Sequence, residues 1–222
     1  MGSRMNLNQI KTYEIKTAKT GEKVPVVNEV HLHSIYNPMK EAESIASKHL
    51  NNIKAKKNIL ILGLGFGYHV QEIVRIARES HGDNFKVIVI EPNLKVTNDA
   101  RELNLVNEDD VIIYAGEDVN SLYQDSELVD FLTNKPTIIA HPSSFSLYQT
   151  YFKGFLSFEA KSDSETTMGV IQNEEFYNYL KDFGSFDSIE SLIDGTILNQ
   201  TVLKDEKDHL MLAYRHLMLS DF

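Results

Sequence analysis

Between Asn58 and Ala140 the apolar positions of this chain switch repeatedly between two patterns. Short unbroken runs occur at 58–62 (Asn-Ile-Leu-Ile-Leu), 85–90 (Phe-Lys-Val-Ile-Val-Ile), 111–114 and 136–140. Between them, at 67–80, 93–103 and 119–133, apolar residues recur every three to four positions. Runs of this kind predict strands covered on both faces, and the intervening period predicts helices. Strands alternating with helices of that length imply right-handed crossovers and a parallel sheet. Upstream, Tyr13–Thr17 alternates, Gly21 lies in a polar turn, and Val24 to His33 reads as a returning strand. Asn37-Pro38 then opens a helix over Met39–Ile53, with Ala42, Ile45, Ala46 and Leu50 at helical spacing and positive charge at 54–57 closing it.

After His141-Pro142 the pattern changes again. Phe145, Leu147, Tyr148, Tyr151, Phe152, Phe155 and Phe158 form an aromatic-rich stretch, which reads as packing or an interface. The polar segment Lys161–Thr167 reads as a linker. Residues 173–219 read as helices broken near Gly184 and Gly195, the last carrying Leu210, Leu212, Ala213, Leu217 and Met218. The expected fold class is α/β, a Rossmann-like, methyltransferase-like parallel sheet with an N-terminal β-hairpin and a helical C-terminal tail. The expected division is 1–5 as a cloning scar and start, 6–57 as hairpin and helix, 58–160 as the Rossmann-like nucleotide-binding domain, and 161–222 as linker and helical tail.

Composition narrows the function classes. In 222 residues, 42% are hydrophobic and 24% charged, as in an ordinary soluble domain. The formal net charge of −10 argues against a general nucleic-acid binder, which needs a basic face. With no cysteine, disulfides, thiolate metal sites and thiol catalysis are excluded. No apolar run reaches the ~18 residues of a membrane span, and no secretory pattern stands out, so a cytoplasmic protein is expected.

The candidate chemistry follows the strand ends. Gly63-x-Gly65-x-Gly67 opens a helix after the first long strand, where backbone amides and the helix dipole favour a phosphate or carboxylate. Tyr68 stands where a dinucleotide fingerprint has its third glycine, which moves the loop away from NAD or FAD and towards S-adenosylmethionine. The plainer alternative is a turn whose glycines only allow close strand–helix packing. Glu91, before Pro92, ends the second strand where a carboxylate can accept from ribose hydroxyls, or cap the next helix. Glu117 and Asp118 follow the third strand, where an acid can meet a base, and Asp118 is equally placed as an N-cap. His141-Pro142-Ser143-Ser144 ends the fourth strand. His141 is a weak catalytic candidate, as acid, base or phosphate partner, and the serines suit a helix start. An Asn/Asp-Pro-Pro-aromatic motif is missing there, which counts against methylation of exocyclic nitrogen. His31 and His33 share a strand face, and His69 would have to join them in space to hold a metal, so no metal site is expected. A Gly-x-Ser-x-Gly elbow is absent.

Taken together, His31-Leu-His-Ser34-Ile-Tyr36-Asn37-Pro38-Met-Lys-Glu41-Ala42-Glu43, the Gly63–His69 turn and Glu91-Pro92 resemble the N-terminal domain of the motility-associated-factor glycosyltransferases. The order and spacing agree over roughly residues 25–160. Members of that family attach nonulosonic acids to flagellin Ser or Thr through a separate central domain, and the chain beyond residue 160 has no room for one. The resemblance therefore implies a standalone or excised Rossmann-like domain, with no catalytic residue to carry over. It implies a nucleotide or nucleotide-sugar held by Gly63, Gly65, Gly67, Tyr68, Glu91, Glu117 and Asp118. Substrate-binding candidates are His33, Ser34, Tyr36, His141 and Ser143. The junction 33–36 can equally serve only to fix the hairpin to the sheet, with Asn37 as N-cap. Two alternatives stay open. One is an S-adenosylmethionine-dependent methyltransferase. The other is a non-catalytic interaction module that meets flagellin, another protein or a second copy through 145–158 and the C-terminal helices.

Overall fold

Residues 13–31 form an antiparallel sheet of β1 (Tyr13–Thr17), β2 (Lys23–Val27) and β3 (Val30–His31), in a computed structural model that describes residues 10–159, 161–203 and 205–219. The expected scar at 1–5 lies outside the described residues. The returning strand expected over 24–33 is in fact two strands. Asn28 and Glu29 take φ of 49° and 66°, the signs of a two-residue primed turn, so β3 folds back on β2 with Val27 opposite Val30. The usual Asn-Gly signal for that turn is missing because Glu occupies its second position.

The next helix also divides. α1 (Pro38–Lys48) starts where Asn37 Oδ1 accepts the Lys40 amide at 2.9 Å, and α2 (Leu50–Ala55) follows a break at His49. Then come β4 (Asn58–Leu62), α3 (Tyr68–His81), β5 (Lys86–Glu91), α4 (Leu94–Glu102) and β6 (Ile112–Ala115). They are followed by α5 (Val119–Leu122), α6 (Ser126–Thr133), β7 (Thr137–Ala140), α7 (Pro142–Leu147) and α8 (Gln149–Leu156). The helix expected over 119–133 splits because Asp125 starts a second one, accepting the Leu128 amide at 2.8 Å.

β4 to β7 form one parallel sheet in the order β6-β5-β4-β7. The chain steps outward from β4 to β6 and then returns to the other side of β4. That puts the switch point of the sheet between β4 and β7, whose loops meet across the crevice position at the carboxyl edge. Alternate residues of each strand feed two cores. Ile59, Ile61, Val87 and Val89 pack with Leu32, Ala46, Ile53, Phe66 and Ile73. Leu60, Leu62, Ile88 and Ile90 pack with Leu128, Phe131, Tyr148, Phe152 and Phe155. Burying each large apolar side chain contributes roughly 1.5–3 kcal/mol, so this two-sided coverage dominates the stability of the unit. The aromatic stretch is thus core: Tyr148, Phe152 and Phe155 are buried, and Phe145 and Tyr151 pack on them.

The chain divides into two compact units, one ending at Phe158 and the other beginning at Glu159. The second contains α9 (Ser164–Val170), α10 (Glu174–Lys181), α11 (Ile189–Leu192), a π-helical turn at Ile193–Ile197 and α12 (Glu206–Leu219). The segment expected as linker thus contains a helix start, because Asp163 caps α9 by accepting the Thr166 amide at 2.8 Å. Gly184, at φ 72°, lies beyond the end of α10 as expected of a C-terminal glycine, whereas Gly195 sits inside the π turn. Tyr179, Leu180, Phe186, Leu192, Ile193, Ile197 and Met211 form this unit's own core. No helix among the described residues is long and apolar enough to cross a membrane.

Candidate functional site

The glycine loop joins β4 to α3, and its conformation explains its composition. Gly63, Gly65 and Gly67 have φ of 98°, 52° and 79°, where a Cβ is unfavourable. Space is short as well. A Cβ on Gly63 would lie 2.3 Å from Ser144 Cβ, and one on Gly65 would lie 2.4 Å from His33 Nε2. What approaches these glycines so closely is the protein's own side chains.

The same holds for the loop amides, each of which has an internal acceptor. Gly63 N–H donates to Ile90 O at 2.9 Å and Gly67 N–H to Leu64 O at 2.8 Å. Leu64 N–H donates to Glu91 Oε2 at 2.8 Å, and the Gly65 amide also bonds to Glu91. Phe66 N–H donates to His33 Nε2 at 2.9 Å. Glu91 is fully buried, and its other oxygen accepts the Asn93 amide at 2.9 Å. In this conformation its carboxylate ties the loop to the start of α4. Burial pushes the Glu91 carboxyl up to about 7, against the opposing pull of the three amides.

Three histidines fill the crevice position at the switch point: His33 after β3, His69 in the first turn of α3 and His141 at the end of β7, all 0–1% exposed. The rings of His69 and His141 stack with centroids 4.3 Å apart, and His33 lies 4.7 Å from His141 and 5.7 Å from His69. Burial lowers all three pKa values, that of His69 to about 3 and that of His141 well below its ordinary value. Glu41 works in the opposite direction on His33, its Oε2 lying 3.4 Å from Nδ1 while it also accepts the Ser34 amide at 2.8 Å. Burial favours raising the Glu41 carboxyl, but His33 and the Ser34 amide outweigh it and hold it low. Tyr68, buried, turns its hydroxyl to Lys23 O at 2.8 Å and its ring edge to His33.

The remaining candidates are spread along the edge. Ser34 Oγ accepts the Tyr36 and Asn37 amides at 3.3 Å, so it supports the helix start. Tyr36 is 62% exposed, with the Lys19 ammonium 4.3 Å from its ring centroid. Asp118 caps α5, Oδ1 accepting the Asn120 and Ser121 amides at 3.0 and 3.1 Å. Glu117 is exposed, and its carbonyl accepts from Tyr151 Oη at 2.7 Å. Ser143 is partly exposed in the first turn of α7. The neighbouring Ser144 is the serine that reaches inward, 2.8 Å from His141 Nδ1. Glu41, His69 and Ser144 are thus integral to the crevice, although the strand-end argument did not select them. A signal for Glu41 lay in its place within the 31–43 block, and for His69 in the Gly-Tyr-His order that puts it one turn from the loop.

No protein-family model matches the chain, and no curated protein matches it. Among solved structures, the crystal structure of MNMC2 from Aquifex aeolicus is similar at a TM-score of 0.39 and 14% identity, covering 69% of this chain and 66% of that one. The chain therefore takes in less than two thirds of that protein's length. A likeness of that size carries nothing about ligand or activity. The fold itself is α/β, a four-stranded Rossmann-like parallel sheet, preceded by an antiparallel sheet and followed by a helical unit.

Proposed function

We propose that the chain is a Rossmann-like domain of the motility-associated-factor type, an accessory to flagellin or surface-protein glycosylation with nonulosonic acid. The observation that supports this is the meeting of its two motif blocks. His33, from the 31–43 block, accepts the Phe66 amide of the 63–69 block, while Glu41 holds His33 from behind. Residues far apart in sequence thus act as one unit, which gives their joint occurrence a physical reason.

The ligand of this reading is a nucleotide or nucleotide-sugar. Because the loop amides are satisfied internally, it would meet the exposed part of the carboxyl edge, at Glu117 and Ser143, with Gly63, Gly65 and Gly67 shaping the edge from behind. Calorimetry with CMP and CMP-sugars tests this. The expected result is binding that falls at least tenfold in a Glu117→Ala, Ser143→Ala double variant. No binding by the folded protein removes the ligand half of the proposal. It then leaves the interaction-module reading, which the internally satisfied loop favours. S-adenosylmethionine chemistry is the rival on the same fold, and a thermal upshift with S-adenosylhomocysteine but not with CMP would select it.

A further inference from the structure

The three crevice histidines present a donor set that neither the fold nor the proposed glycosylation role requires. One ring nitrogen from each of His33, His69 and His141 lies within 4.8 Å of the others, in a buried setting. The hydrogen-bond partners fix the tautomers of His33 and His69. His69 Nε2 is 3.0 Å from Gly63 O, and a carbonyl only accepts, so Nε2 carries the proton and Nδ1 keeps its lone pair. His33 Nε2 accepts the Phe66 amide, so its proton is on Nδ1, facing Glu41. His141 Nδ1 faces Ser144 Oγ, and donation to that oxygen leaves the lone pair on Nε2.

His69 Nδ1 and His141 Nε2 are buried and have no hydrogen-bond partner among the described residues. A buried polar atom left without a partner is costly, so two such lone pairs side by side call for an occupant. The opposite nitrogens of His69 and His141 are held by a carbonyl and a hydroxyl, and that of His33 faces the Glu41 carboxylate at 3.4 Å. These are the groups that orient imidazole ligands around metal ions and fix their tautomers.

We propose that His33, His69 and His141 bind one divalent transition-metal ion of the zinc or cobalt class. Neutral imidazole nitrogen suits these ions, whereas magnesium and calcium demand oxygen. Loading moves His33 Nε2 off the Phe66 amide and tilts the His69 and His141 rings out of their stack. The ion is thereby coupled to the glycine loop. Three protein nitrogens leave a fourth position for water or another ligand.

The test uses the full chain stripped of metal by a chelator. After Zn²⁺ loading and desalting, elemental analysis is expected to give one equivalent, and Co²⁺ to give the intense visible absorption of a four- or five-coordinate site. His69→Gln and His141→Gln, each checked for folding by circular dichroism, are expected to lose at least tenfold in affinity. If these variants fail to fold, Glu41→Gln reads out the same site from behind His33, with an expected loss of roughly 10–100-fold. The chain has eight histidines, so the control matters. Metal retained at unchanged affinity in the folded His variants or in Glu41→Gln overturns the proposal. So does a Co²⁺ spectrum no different from the hydrated ion, which would leave the crevice to packing or buried water. None of these results depends on nucleotide binding, so this inference and the glycosylation reading fail separately.

Discussion

Replacing Gly65 by alanine tests the internal closure of the loop most directly. Two costs follow from the structure. Gly65 has φ of 52°, and holding a residue with a Cβ in the left-handed region costs about 1 kcal/mol. The added Cβ would also fall 2.4 Å from His33 Nε2 and 3.1 Å from two ring carbons. The ring cannot swing into solvent, because it is buried between Tyr68, His69 and His141. Overpacking of this kind costs about 1–3 kcal/mol. If the ring moves enough to release the Phe66 amide, an unsatisfied buried donor adds about 1–3 kcal/mol. These effects overlap, so the expected loss is about 3–5 kcal/mol. Gly184→Ala is the control. It has φ of 72° just past the end of α10 and open space around the Cβ, so only a backbone cost of about 1 kcal/mol applies. Urea denaturation followed by far-ultraviolet circular dichroism gives both values. A Gly65→Ala loss no larger than that of Gly184→Ala would show that His33 is not wedged over the loop.

Three further outcomes are expected. The stability attributable to Glu91 is fully present below pH 4.5 and is lost as pH rises to about 7, because the folded state holds its proton longer than the unfolded chain. Stability differences between wild type and Glu91→Gln, measured by denaturation from pH 4 to 8, should therefore fall by roughly 3 kcal/mol with rising pH, and a flat difference refutes the buried, raised carboxyl. Asp118→Ala should cost about 1 kcal/mol in thermal or chemical unfolding, since it removes an N-cap, and leave CMP binding unchanged; a selective loss of affinity with intact stability would return Asp118 to the base-contacting role. Phe152→Ala should cost about 3–5 kcal/mol, because the ring is fully buried against the sheet and stacked on Phe145, and a loss under 1 kcal/mol would contradict its place in the core.

The parallel sheet was legible because strands packed on both faces are nearly continuous apolar runs, and here such runs alternate with amphipathic segments of helical length. The helix starts at Asn37, Asp118 and Asp163 follow equally local rules, although Asp163 was hidden in a segment too polar to suggest a helix. Breaks at His49 and Asn28-Glu29 were not legible, since no glycine or proline marks them.

The candidate site divides along the same line. The sequence by itself determined that glycines stand after β4 and that Glu91 and His141 end their strands, because these are facts of local order and period. Only the tertiary structure decided where those groups point. Glu91 turns inward to the loop amides, His33 arrives from a separate sheet to take the Phe66 amide, and His69 and His141 stack beside it. These pairings join residues more than twenty positions apart, and burial sets their protonation. A pattern along the chain encodes neither.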